Sequence, residues 1–170
     1  MAPFLLLSSY FGSELLFFLF FILMLVSDVL DGYIARKLHQ CSKMGSQLDS
    51  IGDYITYMSI PFATWWLWPE IIKEEALYIL LALVLFFIPG VVARMKFGVM
   101  VAYHTWLTKF TAVVMSLALI IILFTHENTF FHLALIVLFL EAVESLLITS
   151  YLKSPRENVK SLWHVYRDKR

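Results

Sequence analysis

Five stretches of this chain are apolar over the length that a helix needs to cross a lipid bilayer. A bilayer core of about 30 Å takes about 20 apolar residues per helix, because an α-helix rises about 1.5 Å per residue. The stretches run approximately over residues 14–31, 48–68, 76–94, 105–125 and 130–152. The connectors between them are short, so the pattern predicts an all-α, polytopic membrane helical bundle with five full transmembrane helices.

The composition agrees with a membrane protein and excludes several other classes. Of the 170 residues, 61% are hydrophobic and 15% are charged, whereas a soluble domain is about 45–50% apolar and about 25% charged. The 13 basic residues balance the 13 acidic ones, so a polybasic nucleic-acid-binding protein is not expected. The single cysteine, Cys41, excludes an intramolecular disulfide framework and a cysteine-rich zinc site.

A shorter apolar stretch, residues 1–8, opens the sequence. As a helix it would span only about 12 Å, less than half of the bilayer core. It also lacks the basic region and the cleavage site of a signal peptide. We expect it to be the end of a truncated first helix whose beginning is missing, or a short re-entrant segment.

The basic residues predict how the helices are oriented. All but Lys73 fall on one side of the predicted bundle, which the positive-inside rule identifies as cytoplasmic. We therefore predict one transmembrane domain over residues 1–152 and a basic cytoplasmic tail over residues 153–170, suited to lie along the anionic membrane surface. An aromatic belt at the opposite face is predicted from three tryptophans: Trp65, Trp66 and Trp68.

Four aspartates lie near the predicted cytoplasmic face. Asp28 and Asp31 are three residues apart at the end of one predicted helix, and Asp49 and Asp53 are four apart at the start of the next. Each spacing places a pair on one helical face. Four carboxylates at one point would not all stay ionised without cations, and oxygen ligands suit Mg²⁺ or Mn²⁺. The pattern predicts a site for two ions, a recurrent arrangement for displacement at phosphorus.

Small and basic residues accompany the aspartates. Gly32 and Gly45 would let a ligand approach the backbone closely, although a glycine alone is also typical of a helix end or a packing position. Arg36 is a cation suited to phosphate, so the group indicates a pyrophosphate site. A divalent-cation transporter is an alternative from another class, but its acids would be expected near the bilayer midplane.

The sequence from Asp28 to Asp53 resembles the signature of the CDP-alcohol phosphotransferase (CDP-alcohol phosphatidyltransferase) family. The signature is D-x2-D-G-x2-A-R-x8-G-x3-D-x3-D, and every fixed position is present at the family's spacing. The resemblance implies a six-helix integral membrane enzyme of phospholipid biosynthesis, commonly a homodimer. Such an enzyme transfers the phosphatidyl group of CDP-diacylglycerol to a small alcohol and releases CMP. Its active site would face the cytoplasm from the cytoplasmic (inner) membrane.

The resemblance also implies roles for individual residues. Asp28, Asp31 and Asp49 would bind the two metal ions. Asp53 would lie near the second ion and act as the general base that deprotonates the acceptor hydroxyl. Four residues would line the CDP pocket: Gly32, Ala35, Arg36 and Gly45.

Basic residues between the third and fourth of the five long helices are candidates for the acceptor site. Arg94, His104 and Lys109 suit an anionic acceptor such as glycerol 3-phosphate, which would give phosphatidylglycerophosphate. Inositol phosphate, serine or another alcohol is the alternative. Lys96 and Thr105 lie in the same segment, and the basic residues near helix ends are equally suited to setting the topology.

Two expectations concern the faces of the last two helices. His104, Thr108 and Lys109 are expected to share one face, from their offsets of four and five residues. Glu141 and Glu144 lie three residues apart inside the last long helix. Since acids inside a membrane need partners, we expect them to pair with Lys109 or Arg94 and orient the acceptor site, or to form a structural ion pair with a buried base.

Overall fold

The computed structural model describes residues 2–37, 43–99, 101, 103–156 and 159–167. All regular secondary structure in these residues is helical, which confirms the predicted all-α class. The eight helices of the described residues are α1 (Ala2–Tyr10), α2 (Glu14–Lys37), α3 (Lys43–Leu67), α4 (Pro69–Glu74), α5 (Ala76–Phe97), α6 (Trp106–Thr125), α7 (Thr129–Tyr151) and α8 (Leu162–Arg167).

Five long helices coincide with the five apolar stretches. Among the described residues, α5, α6 and α7 are long and apolar enough to cross a membrane, which supports a membrane protein. Crossing of the membrane by α2 and α3, and thus the six-helix family architecture, stays a prediction. The sequence did not predict α4 and α8, each six residues long, because neither forms an apolar stretch of its own.

The helices group into two compact units, residues 1–76 and 77–170. The prediction of a single transmembrane domain over residues 1–152 stays a prediction. In the first unit, the short helix α1 packs against both α2 and α3. It has nine residues, so it is as short as the sequence predicts.

A tight turn reverses the chain between α1 and α2. Gly12 has a positive φ of 70°, a conformation that glycine adopts without steric cost. Its N–H donates to the Ser9 carbonyl at 3.0 Å, and the Ser13 N–H donates to the Ser8 carbonyl at 3.0 Å. These two bonds form a Schellman motif, which ends α1 and directs the chain into α2.

Aromatic side chains form the core of the first unit. Phe17 is fully buried, and its ring centroid lies 5.3 Å from that of Trp68 and 6.1 Å from that of Phe21. Trp68 is only 6% exposed, so its prediction as part of an exposed aromatic belt is wrong. The chain leaves α3 at this residue and folds it inward. Trp65 and Trp66 are exposed, as a belt requires.

In the second unit, α6 packs along α7, and α8 packs on α7. The last turns of α5 and α7, the connector between α5 and α6 (residues 98–105) and the C-terminal segment meet in one apolar cluster of buried residues: Ala93, Val101, Tyr103, Ile148, Leu152, Val159 and Val165. Part of the tail therefore packs on the protein itself. Its contact with the membrane surface stays a prediction for exposed residues such as Trp163 and Tyr166.

Candidate active site and acceptor segment

The aspartates of the signature lie in α2 and α3. Asp28 and Asp31 fall within α2, and Asp49 and Asp53 fall within α3, so each pair is separated by about one helical turn, as the sequence predicts. Asp53 is half-buried. The side chains of Asp28, Asp31 and Asp49 lie outside the described residues, so their meeting at one metal site stays a prediction.

Both helices extend beyond the apolar stretches at this end. Helix α2 continues to Lys37, and α3 begins at Lys43 rather than near residue 48. Alanine, arginine and lysine favour helix, so helical hydrogen bonding continues after the apolar residues end. Four residues that the resemblance implies bind nucleotide therefore occupy helical positions, near the end of α2 or the start of α3: Gly32, Ala35, Arg36 and Gly45. Gly45 is exposed, and the side chains of Ala35 and Arg36 lie outside the described residues.

Among the side chains that the structure describes, no three from histidine, cysteine, aspartate or glutamate lie close enough together to hold a metal ion. Three of the four predicted aspartate ligands are not among those side chains. The predicted two-ion site therefore stays a prediction.

Three of the predicted acceptor-binding residues are exposed. Arg94 lies in the last turn of α5, His104 lies in the connector, and Lys109 lies in the first turn of α6. The Lys109 ammonium group is 5.4 Å from the centroid of the Trp106 ring. Because α6 begins at Trp106, His104 lies outside the helix, and the predicted shared face of His104, Thr108 and Lys109 is wrong.

Lys96 has a different environment from these three residues. Its Nζ atom donates to the Thr149 carbonyl at 2.8 Å and to the Ser150 carbonyl at 2.9 Å. Carbonyls in the last turn of a helix lack helical partners, and a cation placed there interacts favourably with the helix dipole. Lys96 therefore stabilises the end of α7, and its ammonium group is already engaged.

His104 occupies the tip of a tight turn before α6. The Thr105 N–H donates to the Tyr103 carbonyl at 2.8 Å, which closes a three-residue turn. Tyr103 and Thr105 are 5% and 0% exposed. Thr105 is also the N-cap of α6, and its side chain accepts a hydrogen bond from the Thr108 N–H at 3.1 Å. The backbone at His104 is thus held on both sides, while the imidazole is exposed.

The two glutamates of α7 accept hydrogen bonds from hydroxyl groups. Glu141 Oε1 accepts from Thr108 at 3.1 Å and from Ser145 at 2.8 Å. Glu144 Oε2 accepts from the Thr105 hydroxyl at 2.9 Å. The bonds from Thr105 and Thr108 join the start of α6 to the second half of α7.

The second oxygen of Glu144 accepts from the backbone N–H of Leu162 at 3.1 Å. Within the part of the chain that the structure describes, neither glutamate pairs with Lys109 or Arg94, so the expected ion pair is wrong. Both bases are exposed, whereas hydroxyls at the start of α6 lie within reach of α7.

The sequence interpretation missed three polar residues of this network: Tyr103, Ser145 and Thr149. The Tyr103 and Thr149 hydroxyls are hydrogen bonded at 3.0 Å. Burial raises the pKa of Tyr103 above its ordinary value of 10.0, and the hydrogen bond with Thr149 opposes this effect. The spacing in the sequence could have predicted part of this network. Glu141, Ser145 and Thr149 follow one another at intervals of four residues and therefore share a face of α7.

Comparison with known proteins identifies one family. The family model described as CDP-alcohol phosphatidyltransferase matches residues 1–147 of the 170-residue chain. The matched range contains the whole signature and reaches into α7. No curated protein and no solved structure matches the chain.

Proposed function

Because the chain belongs to the CDP-alcohol phosphatidyltransferase family, we propose that it transfers the phosphatidyl group of CDP-diacylglycerol to glycerol 3-phosphate and releases CMP. The family implies phosphatidyl transfer from a CDP-alcohol to an alcohol. The observation that supports this chemistry most is that the matched range contains every fixed residue of the signature from Asp28 to Asp53. The identity of the acceptor is our proposal.

Two Mg²⁺ or Mn²⁺ ions fit the residues of the signature. Asp28 and Asp31, like Asp49 and Asp53, lie about one turn apart on a helix, and a set of carboxylate oxygens is the type of ligand that these ions prefer. We propose that these four aspartates hold the ions. When bound, the ions would neutralise the pyrophosphate of the donor and stabilise CMP as the leaving group.

Asp53 is the proposed general base. It takes the proton of the acceptor hydroxyl while that oxygen forms a bond to the phosphorus of the phosphatidyl group. The bond from this phosphorus to the bridging oxygen breaks, and the bridging oxygen leaves with CMP. Asp53 is half-buried in α3. Arg36, near the end of α2, is the proposed contact to a phosphate of CDP.

The exposed bases of the second unit support an anionic acceptor. Arg94, His104 and Lys109 are exposed, and the Lys109 ammonium group lies 5.4 Å from the centroid of the Trp106 ring. A cationic surface would favour glycerol 3-phosphate over uncharged alcohols and over zwitterionic serine. Inositol phosphate carries the same kind of charge and is the closest competing acceptor.

We place the enzyme in the cytoplasmic (inner) membrane with its active site toward the cytoplasm, and we propose a homodimer. The orientation rests on the distribution of lysine and arginine. A divalent-cation transporter is the second candidate function, because four acids on helices can also bind ions in transit. The match to a transferase family favours the enzyme.

The test is CMP release by the purified protein in lipid nanodiscs that contain CDP-diacylglycerol. Glycerol 3-phosphate, inositol phosphate and serine are supplied separately, each with Mg²⁺, with Mn²⁺ and with EDTA. We expect CMP only when a divalent ion is present and the highest rate with glycerol 3-phosphate. Asp53→Asn should lower the rate by about 100-fold or more and leave binding of CDP-diacylglycerol largely intact, because three aspartates remain to hold the ions. Glu127→Gln, which changes an exposed carboxylate in the α6–α7 turn, is the matched control.

Each outcome has a separate meaning. No CMP with any acceptor, together with ion uptake into sealed vesicles, would favour the transporter. A highest rate with inositol phosphate or serine would keep the transferase and overturn the proposed acceptor. Full activity of Asp53→Asn would show that another group takes the proton.

A further inference from the structure

Glu144 joins three segments of the second unit. Its Oε2 atom accepts a hydrogen bond from the Thr105 hydroxyl at 2.9 Å, and its Oε1 atom accepts one from the Leu162 N–H at 3.1 Å. Thr105 ends the α5–α6 connector, and Leu162 is the first residue of α8. A carboxylate has two acceptor oxygens and no donor, so Glu144 on α7 bridges two donors from distant parts of the chain.

Further contacts join the same segments. The first backbone N–H of α6 donates to the Lys160 carbonyl at 3.2 Å. Val159 and Val165 are 5% and 4% exposed, and they belong to the apolar cluster that also contains Tyr103 of the connector. The C-terminal segment, residues 159–165, therefore covers the connector as well as the end of α7.

The connector held in this way carries one of the exposed bases. His104 lies between two buried residues, Tyr103 and Thr105. The Thr108 hydroxyl lies 2.9 Å from the Tyr103 carbonyl and shares its one proton between this carbonyl and Glu141. Lys109 follows in the same turn of α6. Glu144 accepts from the Thr105 hydroxyl, so loss of its carboxylate would remove a contact that joins this turn to α7, while the backbone bonds within the turn remain.

We propose that Glu144 is a positioning residue for the acceptor. It keeps the C-terminal segment docked on the connector, so that His104 in the connector and Lys109 in the first turn of α6 are presented to the anionic group of the acceptor. This inference rests on the proposed function. It predicts that docking of residues 159–165 affects binding of the acceptor, whereas binding of CDP-diacylglycerol and the transfer step depend on the signature residues of the first unit.

Two pairs of variants test the bridge from both sides. Glu144→Ala removes both acceptor oxygens, whereas Glu144→Gln keeps one carbonyl oxygen. Leu162→Pro removes the N–H donor at a position where proline suits the start of a helix, and Leu162→Ala controls for the change of side chain. Glu127→Ala, at an exposed glutamate in the α6–α7 turn, is the matched control for loss of a carboxylate.

Two measurements are made on each full-length variant in nanodiscs. Steady-state kinetics vary glycerol 3-phosphate and CDP-diacylglycerol separately, and mass spectrometry follows trypsin cleavage after Lys160, which is exposed. We expect Glu144→Ala to raise the KM for the acceptor about tenfold, the size expected for one hydrogen bond to a charged group. The kcat and the KM for the donor should change by less than about twofold, and cleavage should become faster.

The other variants sharpen the expected result. Glu144→Gln should raise the acceptor KM less than Glu144→Ala does. Leu162→Pro should raise the acceptor KM and speed cleavage as Glu144→Ala does, and Leu162→Ala should change both less. Faster cleavage with an unchanged acceptor KM would overturn the proposal and leave Glu144 a structural role. A raised acceptor KM without faster cleavage would also overturn it, because Glu144 would then act without the C-terminal segment. A fall in kcat alone would contradict it as well.

CMP release by the wild-type protein separates failure of the proposed function from failure of the role proposed for Glu144. If the wild-type protein releases no CMP with any acceptor, the proposed function fails, and the acceptor role of Glu144 fails with it. The cleavage measurement would still show whether Glu144 holds the C-terminal segment, because that result needs no activity.

Discussion

Lys96→Met tests whether a lysine near the proposed acceptor-binding residues stabilises a helix end instead of binding substrate. The substitution removes the ammonium group that donates to the Thr149 and Ser150 carbonyls at 2.8 and 2.9 Å. It keeps an unbranched side chain that covers similar apolar surface. The last turn of α7 then loses two hydrogen bonds, so we expect this turn to open more often.

The magnitude follows from the position of Lys96. A hydrogen bond to a charged group contributes about 1.5–3 kcal/mol, and a cation at a helix C-terminus adds about 0.3–1 kcal/mol. Lys96 is exposed, so water competes for its bonds, and ordering a lysine side chain costs up to about 2 kcal/mol. We expect a net loss of about 1 kcal/mol, which makes opening of the turn about five times more frequent.

Amide hydrogen exchange in nanodiscs measures this opening. The Leu152 N–H, which donates to the Ile148 carbonyl at 3.0 Å, should exchange about five times faster in Lys96→Met, while amides in the middle of α6 should not change. Lys153→Met is the matched control, because Lys153 is an exposed lysine just beyond the same helix. Equal exchange in both variants would refute the reasoning. A raised acceptor KM with unchanged exchange would instead assign Lys96 to the acceptor site.

Three further predictions follow from the fold and the proposed site. Gly98 ends α5 with a φ of 75°, so Gly98→Ala should cost about 1–2 kcal/mol and lower the Tm. Gly52→Ala, in α3 with open space around the added Cβ, should lower it less or raise it. The raised pKa of Tyr103 means that its contribution to stability is complete below pH 10 and is lost as pH rises through the raised pKa. The Tm of the wild type should therefore fall more steeply above pH 10 than that of Tyr103→Phe; an identical slope would contradict this. Removal of divalent ions by EDTA should stop CMP release, and Mg²⁺ or Mn²⁺ should restore it.

The sequence predicted the long helices closely. Helix α2 begins at Glu14 and α6 ends at Thr125, as predicted. Thr105, the predicted start of α6, is its N-cap. Apolar length and turn residues are local properties, so they can be read without knowledge of the fold. The extension of α2 to Lys37 was missed because membrane burial limits the apolar part of a helix, not its hydrogen bonding.

The family of the chain was also available from the sequence. Eight fixed residues at fixed spacing identify it, because the chemistry that a family shares needs specific side chains at set distances along a helix. The same reasoning places Asp28 near Asp31 and Asp49 near Asp53, since each pair lies on a single helix. Contact between side chains of the two helices does not follow from spacing within one helix, and it stays a prediction.

Only the tertiary structure decided the partners of the polar residues in the second unit. Glu144 and Leu162 are joined by a hydrogen bond across 18 residues, and Lys96 reaches carbonyls more than 50 residues away. The sequence showed that acids inside the membrane need partners, but several hydroxyls, amides and bases met that need equally well. The choice depends on which segments the apolar cluster brings together. By itself the sequence determined the helices and the family. The packing of α5, α7, the connector and the C-terminal segment in one cluster decided which charged groups of the second unit are hydrogen bonded.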